Sequence, residues 1–452
     1  MTVSAPEGPK RRLGGLRRRY EPQLETLRAS DTAKAAGLAV AMIANNLLAL
    51  VATVVFAREL TDYGSLAALI SYFLILSVVG QALQVATARE GVLGHLGVGP
   101  ALLATLRRWA KSLLVFTIGL TVVSILLRQP IADAVGVQHN SWAAAIGIPA
   151  GCLWLGLSIL RGALQGVGDY KAVGFSLVGE QAVRLITGAA LAGIGLSVTG
   201  AYLGTPLSFL AVGGYCLFEL RRYATAHAEA APAPVTASAT PGLWKHVKGA
   251  WAPIAGLVVI AVLQNIDIIA AKHRFPSHTA TSYAAVAVAA KVVIWVAIGA
   301  GFYLVPEVSR RHAEGQDTRP VLLRTLGIVL VAAVPCLLIF AFAAHPLISA
   351  VFGAKKATAY QSLLPLGAAF TVLACTYLAV QYMLALKRTW FLIPLGAVAI
   401  AEPILLLQAS RNPADFAAVV LAIQAVGALL AFAMALRRPN APPKAAVSPE
   451  PA

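Results

Sequence analysis

Apolar runs of about 20 residues recur along most of this chain, and they constrain its fold more than any other feature. A helix needs roughly that length to cross the hydrocarbon core of a bilayer. About twelve such runs can be read, near 36–57, 64–86, 110–127, 141–163, 172–194, 200–220, 250–271, 281–304, 322–343, 362–386, 389–409 and 414–436. Only 12% of the 452 residues are charged, and the mean hydropathy is +0.76. A soluble domain carries roughly 25% charged residues. The polar surface present is too small to cover so large an apolar mass. Water-soluble, collagen-like, disordered and disulfide-scaffold classes are thereby excluded. The pattern predicts an all-α polytopic membrane protein.

The net charge of +17 has to be read through the bilayer, not through nucleic acid. With the N-terminus in the cytoplasm, the loops assigned outside hold only Arg58, Arg128, Lys272, Arg274, Lys355, Lys356 and Arg411. Arg184 and Lys291 fall within runs, and the rest of the 36 lysines and arginines lie inside. The positive-inside rule supports that orientation, with both termini cytoplasmic. A basic segment over 1–33, including Lys10, Arg11, Arg12, Arg17, Arg18 and Arg19, orients the chain and can also grip anionic lipid headgroups. A polar linker over 223–247, with Pro232 and Pro234, divides six runs (34–222) from six (248–437). The stretch 438–452 is rich in proline and alanine and reads as a disordered cytoplasmic tail.

Several chemistries find no motif. Cys152, Cys216, Cys336 and Cys375 sit far apart inside apolar runs, so neither a disulfide framework nor a metal site is expected. No cofactor is implied. There is no phosphate-gripping G-x-x-x-x-G-K loop, so ATP hydrolysis by this chain is not expected. The outside loops are short and hold no Asp-x-Asp pair, which argues against a polymerising glycosyltransferase or any other enzyme. Prolines inside the runs, such as Pro149, Pro206 and Pro403, are tolerated in a bilayer as kinks. Gly147/Gly151 and Gly162/Gly166 are small-residue pairs that allow close helix contact.

The two halves resemble each other. The first run ends in Val55-Phe56-Ala57-Arg58, followed by Leu60 and Tyr63-Gly64-Ser65. The seventh ends in Ile269-Ala270-Ala271-Lys272, followed by Phe275 and Tyr283-Ala284-Ala285. Six runs per half make both halves start inside. The repeats are then parallel, two six-helix lobes around a central cavity, as in many secondary transporters.

Ionisable residues at membrane depth mark a pathway or a paired structural site. Glu180 and Arg184 are four apart on one helix face, in the favourable order. They read either as a self-neutralising pair or as part of a cavity lining. Asp267 falls about 7 Å and Lys291 about 15 Å below the outer boundary at 1.5 Å per residue, and a snorkelling lysine stem can bring the two together. Glu402 precedes Pro403. It reads as an ion-coupling carboxylate, as does Glu180, or as a glutamate hydrogen-bonded at a proline kink. Asn45, Asn46, Gln81, Gln84 and the pair Gln381-Tyr382 add neutral polar groups suited to interhelical hydrogen bonds or to sugar contact.

The stretches Phe56-Ala57-Arg58-Glu59-Leu60, Asp62-Tyr63-Gly64 and Ala88-Arg89-Glu90 resemble the opening hairpin of bacterial polysaccharide flippases. Those belong to the multidrug/oligosaccharidyl-lipid/polysaccharide exporter superfamily. Leu160-Arg161-Gly162-Ala163-Leu164-Gln165-Gly166 with Asp169-Tyr170 is similar to the family's fourth-span ending. Asn265-Ile266-Asp267, Pro306-Glu307-Val308-Ser309, His345-Pro346-Leu347 and Leu363-Leu364-Pro365-Leu366 follow in the family's order. The resemblance implies alternating access that moves a lipid-linked saccharide across the bacterial cytoplasmic membrane. It implies as partners that substrate, membrane lipids, and a polysaccharide polymerase or glycosyltransferases. A diphosphate head is anionic, so Arg184 and Lys291 are the candidates to meet it, since a charge is worth far more in a low-dielectric cleft than in water. The chain departs from the peptidoglycan-precursor branch in having about twelve spans and no arginine cluster in the first two. A multidrug extruder of the same superfamily, and a non-transporting scaffold of a polysaccharide-synthesis complex, are the competing readings.

Overall fold

The computed structural model describes residues 31–227, 248 and 251–437. The basic segment before 31, the linker from 228 to 247 and the tail from 438 lie outside the described residues. Among the described residues there is no strand. The first half runs α1 (Asp31–Glu59), α2 (Tyr63–Val92), α3 (Pro100–Leu126), α4 (Arg128–Val135), α5 (Ser141–Gly166), α6 (Tyr170–Leu191) and α7 (Ser197–Ala226). The second runs α8 (Trp251–Arg274), α9 (Ser277–Ala290), α10 (Val292–Ala313), α11 (Arg319–Phe342), α12 (Ala344–Phe352), α13 (Leu363–Ala385), α14 (Leu392–Gln408) and α15 (Pro413–Ala435). The architecture is all-α and polytopic.

Among the described residues, ten stretches are long and apolar enough to cross a membrane. One of them, Tyr170–Ala226, is 57 residues long and comprises both α6 and α7. A five-residue wide turn, Ala192–Leu196, joins the two, with Gly195 at φ 103° and Ser197 at φ 44°. Helix α14 is apolar but only 17 residues long. Counting α6 and α7 separately and adding α14 recovers the twelve runs.

Three boundaries differ from the sequence reading. Helix α3 starts at Pro100, a full ten residues early, and carries Arg107, Arg108 and Lys111 in its first turns. Long basic side chains can keep their heads in water while their stems cover apolar surface, so the polar start stays helical. The eighth run is split at Lys291 into α9 and α10. Helix α7 continues to Ala226, so the first residues of the expected linker are helical.

The repeat is visible in the element order. After the third span of each half comes a short amphipathic helix, α4 with eight residues and α12 with nine. Each is followed by a glycine with positive φ, Gly136 at φ 78° and Gly353 at φ 95°. Only glycine adopts that geometry without steric cost, so the same punctuation closes both helices.

The described residues group into two compact units. One comprises those within Met1–Phe56, Gly80–Val123 and Ile148–Gly249; the other those within Ala57–Val79, Ser124–Gly147 and Ala250–Ala452. Segments 57–79 and 124–147 thus belong to the first half of the sequence but pack with the second. In the first unit α2 lies directly on α5. A Cβ on Gly162 would fall 2.5 Å from the Gln84 carbonyl oxygen, and one on Gly166 would fall 2.7 Å from Gly91 Cα. The small pair Gly162/Gly166 is therefore a backbone crossing point. In the second unit Phe275, Tyr283 and Phe416 stack edge to face, with centroids 5.0–5.7 Å apart, and tie the end of α8 to α9 and α15.

Candidate functional site

Among the described residues, each unit holds a buried ionic cluster within its apolar helices. In the first unit three residues from two helices converge. Glu180 on α6 is bonded one turn along its own helix to Arg184, whose Nη2 lies 2.5 Å from Oε1. The i,i+4 spacing places the two on one face. From α5, Arg161 Nη1 lies 2.9 Å from Glu180 Oε2, in ion-pair rather than hydrogen-bond alignment. Arg161 also donates from Nε to Ser176 Oγ and from Nη2 to the Ser176 carbonyl, both at 2.8 Å.

Two guanidiniums facing one carboxylate leave an excess positive charge. Arg161 is fully buried, while Arg184 keeps 21% of its side chain exposed, and its Nε has no hydrogen-bond partner. Arg161 sits 5.6 Å from the Trp154 ring and Arg184 5.5 Å from the Phe209 ring. These are cation–π distances, and the two rings are 5.3 Å apart.

The second unit holds Asp267 on α8 and Lys291 at the break between α9 and α10. Lys291 Nζ lies 3.3 Å from Asp267 Oδ1, and the Tyr283 hydroxyl donates to Oδ2 at 3.4 Å. The break aims the ammonium inward: the backbone tightens so that the Ile294 amide bonds the Lys291 carbonyl, a three-residue step. Lys291 Nζ also lies 5.2 Å from the Phe370 ring on α13. Glu402 on α14 is fully buried beside them. Gln424 on α15 donates Nε2 to Glu402 Oε1 at 3.1 Å and to the Leu263 carbonyl at 2.9 Å. Glu402 Oε2 has no hydrogen-bond partner, and neither has Asn265 Oδ1.

The remaining sequence candidates stand apart from these clusters. Asn45 and Asn46 hydrogen-bond each other at 3.2 Å on α1. Gln81 is exposed and Gln84 half-buried on α2. Gln381 donates to the Tyr377 hydroxyl, and Tyr382 shares a 2.7 Å bond with Thr318. Sequence reasoning missed Arg161 as an intramembrane charge, because it counted that residue with the α5–α6 loop. Tyr283 and Gln424 were likewise not singled out as partners of the carboxylates. Among the described residues no three His, Cys, Asp or Glu side chains are grouped so as to hold a metal.

A further polar knot lies outside the spans, at the α1–α2 connection of the second unit. Asp62 accepts from Lys272 Nζ at 2.8 Å and from the Ser65 hydroxyl at 2.5 Å. Burial works against its charge, yet the Lys272 ammonium and the Ser65 donors hold its carboxyl below the usual 3.8.

No protein-family profile matches the sequence, and no curated protein matches it. Solved structures do. A multidrug-resistance MATE family transporter of the MOP superfamily, in its inward-facing conformation, superposes with TM-score 0.67 at 11% identity, covering 86% of this chain and 93% of that one. The lipid II flippase MurJ, in an inward closed conformation, gives TM-score 0.66 at 13% identity over 88% and 87%. A MOP superfamily transporter from Pyrococcus furiosus gives 0.53 at 14% over 88% and 93%. At these identities the likeness is one of fold. The chain is a multi-pass membrane protein with the fold of MOP superfamily transporters.

Proposed function

We propose that this chain is a transporter that moves an anionic lipid-linked oligosaccharide across the bacterial cytoplasmic membrane, its halves 34–222 and 248–437 giving alternating access. The observation that carries the reading is the excess positive charge of Arg161 and Arg184 around the single carboxylate of Glu180, deep in an apolar unit. Such a charge is costly in a bilayer and by default marks a substrate or ion path. In this reading Arg184, with 21% of its side chain exposed, meets a phosphate oxygen. Its planar fork suits that geometry. Lys291 is the second cation. Asn45, Asn46, Gln81 and Gln84 supply neutral donors and acceptors for sugar hydroxyls. The fold is shared alike with a lipid II flippase and with a multidrug transporter, so the charge of the site, not the fold, carries the choice of cargo.

Of the two carboxylates suggested for ion coupling, Glu402 fits better. Glu180 is committed to two guanidiniums, whereas Glu402 keeps a buried oxygen without a partner, ready to take a proton or a small cation. In this reading the termini are cytoplasmic, the partners are membrane lipids and the enzymes that build or polymerise the saccharide, and the chain itself catalyses no covalent step. The second reading, a multidrug extruder, is favoured by the buried acids Asp267 and Glu402, which suit a cationic cargo.

Reconstitution distinguishes them. Purified protein in proteoliposomes should expose an undecaprenyl-diphosphate oligosaccharide, loaded on one leaflet, to a membrane-impermeant label on the other. Efflux of a cationic dye without lipid translocation would establish the extruder instead. Movement of neither cargo would leave the scaffold reading.

A further inference from the structure

At one end of the second unit the start of α11, the end of α13 and the end of α15 meet, and their basic residues converge. Arg319, at the start of α11, donates from Nη2 to the Leu436 carbonyl at 2.9 Å. Arg388, just past α13, donates from Nη1 to the Arg437 carbonyl at 3.2 Å. The two guanidiniums thus bond consecutive residues, whose Cα atoms are about 3.8 Å apart. A buried bond of 2.7 Å between the Thr318 and Tyr382 hydroxyls pins the start of α11 to α13 and fixes this meeting. Lys387 and Arg437, next in the chain to these groups, are exposed.

These cations lack the acids that neutralise their neighbours. At the same end, on α10, Arg310 and Arg311 are matched by Glu307 and Glu314 at 2.7–2.9 Å. Among the described residues no carboxylate forms an ion pair with Arg319, Lys387, Arg388 or Arg437. Asp317, the nearest acid to Arg319 in the chain, accepts from the Arg319 amide at 3.0 Å. The backbone at Lys387 is unusual as well. The Arg388 amide bonds the Met383 carbonyl at 2.8 Å and the Lys387 amide bonds the Leu384 carbonyl at 2.9 Å, the two bonds of a Schellman turn. Lys387 takes the left-handed position of that turn at φ 57°, where glycine is the ordinary residue. Strained positions of this kind gather at binding and switch regions. Trp390 and Ile393, 81% and 77% exposed, follow directly in the chain. Tryptophan is enriched where hydrocarbon meets water, which puts the four cations at headgroup level.

We propose that Arg319, Lys387, Arg388 and Arg437 form a binding site for the phosphodiester of an anionic membrane phospholipid, with Trp390 and Ile393 against its acyl chains. Four cations without a carboxylate leave a positive surface that a phosphate complements, and a guanidinium can keep its carbonyl while turning its remaining donors to phosphate oxygens. The start of α11 adds the positive end of a helix dipole. A free phosphate would use the cations and leave the apolar side chains bare, so the occupant is a lipid. The charge pattern of the sequence assigns this end to the cytoplasm, and basic clusters between span ends on that side suit anionic headgroups. The lipid ties α11, α13 and α15 together from outside, whatever the chain transports.

The test titrates full-length protein in detergent with phosphatidylglycerol, phosphatidylcholine or inorganic phosphate, read by native mass spectrometry and by thermal unfolding. The first phosphatidylglycerol to bind should raise the melting temperature. Phosphatidylcholine of the same chain length, whose headgroup has no net charge, should bind at least roughly fivefold more weakly. Arg319→Gln and Arg388→Gln should each weaken phosphatidylglycerol binding roughly fivefold, about the worth of one surface cation. Those two variants also remove a cap from α15, so a third keeps the test open if they do not fold. Lys387→Gly, freed of its left-handed strain, should melt higher than the parent in detergent alone and yet bind phosphatidylglycerol more weakly. A merely structural role would not move the two readouts in opposite directions. Lys111→Gln, an exposed base on α3 in the other unit, should leave the affinity near that of the parent. Equal binding of the two lipids, an unchanged affinity in Lys387→Gly, or equal weakening by Lys111→Gln would overturn the site. Inorganic phosphate that raises the melting temperature as far as phosphatidylglycerol does would overturn the lipid as its occupant.

Discussion

Glu180 answers two guanidiniums with one carboxylate, and its removal is the sharpest single-residue test of the first cluster. Glu180→Gln leaves Arg161 fully buried without its counter-charge. Breaking one side of a buried ion pair costs about 3–5 kcal/mol, so thermal unfolding in detergent should drop by several degrees or more. Lys291→Ala strands Asp267 in the same way. It should lose transport, whereas Lys291→Arg, which keeps the charge, should retain more. Equal loss in both would show that shape, not charge, is what Lys291 supplies. Glu402→Gln should leave the Gln424 contact in place and remove any dependence of transport on a proton or sodium gradient; a dependence that survives would take Glu402 out of the coupling. At this scale the sequence was partly legible. Glu180 and Arg184 are four residues apart on one helix, and helix geometry alone puts them in contact. Asp267 and Lys291 could be paired by depth. Arg161 could not be placed with them, because its partner lies on the next helix and only the packing of α5 on α6 brings them together.

Helices meet here through backbone, and the glycines show where. On α7 a Cβ at Gly204 would fall 2.6 Å from the Arg184 carbonyl and 2.8 Å from Gly188 Cα and N, none of which can swing away. Gly204→Ala should therefore cost about 1–3 kcal/mol through overpacking and shift the α6 face that carries Glu180 and Arg184. Gly119→Ala on α3, which meets nothing within 4 Å, is the matched control and should be neutral or slightly stabilising by melting temperature. The break of the eighth span at Lys291 had no signal in Ala287-Val288-Ala289-Ala290, which holds no proline or glycine; it is set by tertiary contacts. The early start of α3 was hidden by its charges. The α1–α2 connection carries a pH dependence with a definite sign. Asp62 has a depressed carboxyl pKa, so its contribution is complete above the usual 3.8 and fades as pH falls through the lower folded value. Resistance of this connection to limited proteolysis should hold at neutral and mildly acidic pH and weaken only below about pH 4.

On the scale of the whole molecule, twelve apolar runs and the order of elements in two halves were readable because bilayer thickness and the 1.5 Å rise per residue leave few solutions. The grouping of 57–79 and 124–147 with the second half was not readable, since it depends on long-range contacts such as Arg58 with α12. If the charge pattern sets orientation, a fluorescent protein fused after Arg437 should be lit in the cytoplasm. The central claim is that buried cations select an anionic lipid head. The most direct measurement compares, in proteoliposomes, the translocation rate of a diphosphate-linked saccharide with that of a neutral lipid-linked saccharide, in the parent and in Arg184→Gln. One charged hydrogen bond is worth about 1.5–3 kcal/mol, so the parent should favour the diphosphate by roughly tenfold or more, and the variant should lose most of that preference. A variant that keeps the full preference, or a parent that has none, would contradict the account.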